Sequence, residues 1–162
     1  MSLTKSLIAE FEHESAGTKR ILERIPKEKF DWRPHAKSRT LKELASHVAG
    51  LSAWPGVILK SDTLDLTTIK SAEINSTEDL VNELNRNVQH SLDTLKTAKD
   101  EDFQGKWTLK SGDHVVLEVP KSVGIRSVAL NHMYHHRAQL SVYLRLLDIP
   151  VPGMYGPSAD EK

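Results

Sequence analysis

The run Asn131-His-Met-Tyr-His-His-Arg137 holds three histidines, and a fourth, His47, sits between Leu44 and Leu51 in an earlier apolar stripe. Imidazole is the commonest protein ligand for divalent transition metals, and two histidines four apart on one helix present their nitrogens on the same face. A histidine from another helix completes a three-nitrogen set that leaves room for water or a substrate donor. Because the chain has no cysteine, any metal is held by nitrogen and oxygen, and the chemistry falls to His, Asp, Glu and water. Zinc and nickel both accept such a set of imidazoles.

Helical periodicity dominates the segments that must position these residues. The first helix is predicted over about Thr4 to Ile25, with Leu7, Phe11, Thr18, Ile21 and Leu22 recurring at helical spacing and Pro26 ending it. The second opens at Thr40, where Thr40-Leu-Lys-Glu43 has the form of a capping box; its stripe is Leu41, Leu44, Val48, Leu51 and Ile58, and Pro55 should kink or shorten it. The third follows the cap signal Ser76-Thr-Glu-Asp79 and carries Leu80, Leu84, Val88, Leu92 and Leu95 on one face. The fourth runs from about Ser122 to Leu147, before Pro150. Between the last two, Trp107-Thr-Leu-Lys and His114-Val-Val-Leu-Glu-Val119 alternate around Ser-Gly-Asp, as a short β-hairpin does. The expected fold is therefore all-α, a four-helix bundle within a single domain spanning residues 1–162, with a hairpin between helices three and four.

Projection of the fourth helix at about 100° per residue sorts its histidines. His132 and His136 fall on the inward side with Ile125, Ala129, Leu140 and Tyr143, while His135 lies at the edge of that face, in a flanking position. Arg126, Asn131, Tyr134, Arg137, Ser141 and Arg145 cluster on the other side, which reads as solvent-facing. His47 points to the core from the second helix. Buried imidazoles without partners cost about 1–3 kcal/mol per polar group, and one divalent ion satisfies all three. Glu14 projects inward from the first helix, where it is a candidate fourth ligand, general base or anchor, the alternative being a salt bridge to an Arg or Lys of another helix. His13, His90 and His114 project to polar or edge positions, and Trp54 stands close enough to His47 to wall a pocket.

Twenty-two basic and 22 acidic side chains cancel, so no net field would hold the chain on nucleic acid or an anionic membrane. Its first residues lack a secretory apolar core, and no stretch approaches the roughly 20 apolar residues of a membrane span, which makes cytoplasmic residence the expectation.

In combination, Ile25-Pro-Lys-Glu-Lys-Phe-Asp-Trp-Arg-Pro-His35, Leu44-Ala-Ser-His47, His132-Met-Tyr-His-His-Arg-Ala-Gln139 with Tyr143-Leu-Arg145, and the tail from Val151 to Glu161 resemble the DinB/YfiT-like metalloenzymes over nearly the whole chain. The resemblance implies a bundle of up-down-down-up topology, often a homodimer, with one divalent metal on His47, His132 and His136. Ala138 stands where many similar members have glycine, which leaves the ligands untouched. Characterised members are mainly thiol-dependent transferases and an isomerase, so the resemblance implies a small-molecule substrate and a low-molecular-weight thiol, with metal-assisted hydrolysis also open. Glu14 and His135 are then the candidate proton acceptors. The rival reading is a non-catalytic, stress-related helical binding module whose histidines pack or hold a structural metal.

Overall fold

Helix α1 (Leu3–Leu22) buries the expected apolar stripe, Leu7, Phe11, Ile21 and Leu22, together with Glu14 and Thr18. The computed structural model describes residues 3–161. The helix closes through Arg24 N–H to the Ile21 carbonyl and Ile25 N–H to the Leu22 carbonyl, short of the expected Ile25, because Pro26 disfavours helical geometry in the residue before it.

The capping box forms at the start of α2 (Leu41–Leu51): the Glu43 N–H donates to Thr40 Oγ1 at 3.1 Å and the Thr40 N–H to Glu43 Oε2 at 2.7 Å. Pro55 divides the expected second helix in two. It lacks the N–H that a continuing helix would use, but is tolerated in the first turn of α3 (Trp54–Lys60). Ser76 caps α4 (Thr77–Thr97) by accepting from the Asp79 N–H at 3.1 Å. The last helical column is α5 (Lys121–Gly124), a π-helical segment over Ile125–Leu130, then α6 (Asn131–Leu146).

Strands β2 (Lys106–Ser111) and β3 (His114–Pro120) form the expected antiparallel hairpin, turning at Gly112, whose φ of 59° suits a residue without a Cβ. A third strand, β1 (Thr63–Asp65), was not expected; it pairs parallel to β2 with Thr63 opposite Thr108, giving the order β1-β2-β3. Three residues carry no readable alternation, and the partner lies far along the chain. Asp65 ties the strand to the hairpin by accepting from the Gly112 N–H at 3.1 Å. The fold is thus mostly helical with a small three-stranded sheet, rather than all-α with a hairpin alone. Helix α1 packs on α4 and α6, α2 packs on the same two, and α3 packs on α4 and the π segment.

One expectation about α6 fails. Arg137, placed on the solvent side by projection, is 3% exposed, and Tyr134 is half-buried. Tyr134 and Arg137 face α1 rather than water, and the tail following α6 closes over Arg137 through Tyr155, whereas Arg126, Asn131 and Arg145 are exposed as expected.

Candidate metal centre

Because Leu44, Val48 and Leu51 are buried, α2 must turn His47 toward α6, where His132 and His136 stand one helical turn apart. The three side chains are half-buried, and one ligand nitrogen from each lies within 4.8 Å of the others. His132 Nε2 is 3.3 Å from His47 Nε2 and 2.9 Å from His136 Nε2. These are the three residues the sequence selected as ligands.

Their protonation follows from the outer nitrogens. His132 Nδ1 faces the Val128 carbonyl at 3.3 Å, and since a carbonyl can only accept, that nitrogen carries the hydrogen. His136 Nδ1 donates to Gln139 Oε1 at 2.7 Å. In a neutral ring so oriented, Nε2 is a bare lone pair. The rings are held neutral: burial, aided by the Arg39 charge and the other two imidazoles, pushes His47 down to about 3. Burial, then the neighbouring charge of His136, lowers His132, and burial, then His135 and Arg39, lowers His136 against the opposing effect of the Gln139 bond.

Two lone pairs therefore meet at 2.9 Å without a hydrogen between them. That contact is repulsive alone and attractive around a cation. With metal–nitrogen bonds of about 2.0–2.1 Å, ligand nitrogens lie about 2.9 Å apart at a right angle and about 3.4 Å apart at the tetrahedral angle. The two separations that involve His132 fit this range, and all three ligand nitrogens lie within 4.8 Å of one another, a cluster that could hold a divalent ion. No carboxylate of the described residues joins the group.

Glu14 and His135 lie elsewhere. Arg137 Nη2 donates to Glu14 Oε2 at 2.6 Å and the Tyr155 hydroxyl donates to the same oxygen at 2.9 Å, so the carboxylate is engaged in the buried salt bridge that was the alternative for this residue. His135 is exposed; Gln139, which accepts from His136, also reaches His135 Nε2 through its own amide nitrogen at 3.1 Å. His13, His90 and His114 are exposed.

A cleft of about 1030 Å³ opens from His47 and His132 along Trp54, Val57, Leu64 and Leu109. Trp54 does wall the site, its ring centroid 6.1 Å from that of His132. Two participants escaped the sequence reading. Gln139 was signalled only by standing three after His136 and four after His135; Arg39 lies just outside α2, where helical projection does not reach.

The chain belongs to the DinB family, which it matches over residues 1–162. Its structure is similar to that of a DinB-like protein from Bacillus subtilis, with a TM-score of 0.71 and 16% identity, covering 97% of this chain and 99% of that one. A DinB-like protein from Bacillus cereus also superposes with a TM-score of 0.71 at 20% identity, covering 93% and 97% of the two chains. A protein from Exiguobacterium sibiricum assigned to the same family gives 0.66 at 21% identity, covering 99% and 98%. At these identities the likeness establishes the fold. No curated protein matches the chain in sequence. No helix among the described residues is long and apolar enough to cross a membrane.

Proposed function

We propose that this chain is a divalent-metal-dependent enzyme whose ion, zinc or nickel, is held by His47, His132 and His136. The observation that supports it best is the pair of facing Nε2 lone pairs at 2.9 Å beside an open apolar cleft. Bound there, a divalent ion would supply Lewis acidity that lowers the pKa of a water toward about 7 or holds an incoming thiol as thiolate. The chain's own part is to fix the ligand nitrogens through Val128 and Gln139 and to line an apolar cleft with Trp54 and its neighbours. With no cysteine in the chain, transfer of a thiol requires a low-molecular-weight thiol as cosubstrate; metal-assisted hydrolysis is the other reaction of this site. His135, joined to His136 through Gln139, is the nearer of the two candidate proton acceptors. In this reading the long helices form an up-down-down-up bundle that pairs as a cytoplasmic homodimer. Three protein ligands beside a cleft favour catalysis over a structural metal, whose sites are closed by four.

Elemental analysis of untagged protein, purified without a nickel column, tests the ligand set. Stoichiometric metal in the wild type and its loss in His132→Ala are expected. Metal retained by that variant overturns the assignment.

A further inference from the structure

The chemistry of the cleft selects among substrates. We propose that it takes a small organic anion with an apolar body, Arg39 and Lys42 at the rim receiving the anionic group while Trp54, Leu64, Leu66 and Ile69 receive the rest. As a substrate assignment this rests on the metal-enzyme reading.

The charged residues lining the cleft are Arg39, Lys42, Lys70, Glu43 and Glu83. Both acids are engaged: Glu43 accepts from the Thr40 N–H in the capping box, and Glu83 pairs with Arg86 and accepts from Asn87 Nδ2 at 2.8 Å. None of the three cations forms an ion pair within 4.0 Å among the described residues. Glu43 keeps its charge in the capping box, but the three cations outnumber the two acids of the lining, so its balance is positive.

Arg39 lines the cleft together with His47 and His132. Its backbone is held in place, since the Tyr143 hydroxyl donates to the Arg39 carbonyl at 3.3 Å and Thr40 begins the capped helix. The remainder of the cleft is apolar, and at its mouth Leu66 and Ile69 are 37% and 43% exposed, surface that an apolar ligand body would cover. A cationic rim over an apolar wall matches an acid with a hydrocarbon part, and opposes an amine of the same shape.

The test is calorimetric titration of octanoate, octyl phosphate and octylamine into the full-length wild type, Arg39→Gln/Lys42→Gln, Arg39→Lys and His132→Ala, with metal content measured on each sample. At least one of the two anions should bind the wild type about tenfold or more tighter than octylamine, and which of them does so separates carboxylate from phosphate recognition. The preference should vanish in the double variant and persist in Arg39→Lys and His132→Ala. Equal binding of anions and amine by the wild type, or a preference that survives in the double variant, overturns the proposal. So does a preference lost in His132→Ala, which would place the anion on the metal. A metal-free wild type with the preference intact refutes the metal reading and leaves the anion site standing.

Discussion

Arg137 and Glu14, 123 positions apart, form a buried ion pair that locks α6 onto α1 one residue beyond a proposed metal ligand. Nη2 reaches the carboxylate at 2.6 Å and Nη1 reaches the Glu14 carbonyl at 2.9 Å, so the guanidinium grips backbone and side chain of the same residue. The Tyr134 and Tyr155 rings lie 5.3 and 5.6 Å from it. Since Arg137 follows His136, the pair fixes the rotation of α6 and with it the direction of both histidines.

Arg137→Ala leaves a buried carboxylate unpaired and should cost about 3–5 kcal/mol in urea denaturation. Glu14→Gln keeps a hydrogen-bonding group and should cost less, with the metal stoichiometry of the wild type. If Glu14→Gln also keeps all activity, Glu14 has no catalytic role and the ion pair is its whole function.

Gln139 sets the tautomer of His136, so its loss should be felt in metal affinity more than in stability. Gln139→Leu removes the acceptor at 2.7 Å and should weaken metal binding about 10- to 100-fold in competition with a chelator. Gln139→Glu keeps an acceptor and should retain affinity. Equal affinity in wild type and the leucine variant would show that the Nδ1 bond does not organise the ligand.

The depressed histidines make the metal-free protein sensitive to mild acid. Each ring has a folded pKa below its ordinary 6.5, so unfolding takes up protons below that value; stability is full above about pH 6.5 and falls as pH drops toward the folded value, about 3 for His47. The lowered carboxylates, Asp79 and Asp160 among them, are ionised in both states above about pH 5 and do not contribute there. The urea midpoint of chelator-treated protein should therefore be lower at pH 5 than at pH 7, and the difference should shrink in His47→Gln. An unchanged midpoint would mean that the rings charge within the folded protein.

The three-histidine cluster was legible because α6 is regular from Asn131 onward, so an i, i+4 pair stays on one face, and because His47 sits inside an unbroken apolar stripe. Both N-terminal caps and the hairpin were legible for a similar reason: each is a local pattern satisfied by residues within a few positions. Arg137 was not, because periodicity reports which side of a helix is polar and not what covers it; the inward Glu14 was the available clue to a buried cationic partner. The π segment over Ile125–Leu130 was also hidden, as its wider turn leaves no mark in composition. Strand β1 depends on a partner near Thr108. Arg39 belongs to no helix, so only the assembled cleft gives it a role.

Two glycines bordering the same region should respond oppositely to alanine. At Gly50, in α2, an added Cβ meets nothing within 4 Å, so the gain in helix propensity, up to about 1 kcal/mol, should appear as added stability. At Gly56, in α3, the Cβ would stand 3.0 Å from Ser91 Cα and 3.1 Å from the His90 ring, and backbone cannot move aside as a side-chain tip can. The close approach is also bonded: the Gly56 N–H donates to Ser91 Oγ at 3.1 Å, and that hydroxyl donates to the Ser52 carbonyl at 2.7 Å. Forcing α3 away from α4 should cost about 1–3 kcal/mol, outweighing the propensity gain. Because Trp54 and Val57 lie on α3, the same shift moves the wall of the cleft. Gly56→Ala should thus lower the urea midpoint and weaken binding of whichever octyl anion the wild type prefers, while Gly50→Ala raises the midpoint. A neutral or stabilising Gly56→Ala would show that the contact between α3 and α4 is looser than the 3.0 Å approach implies.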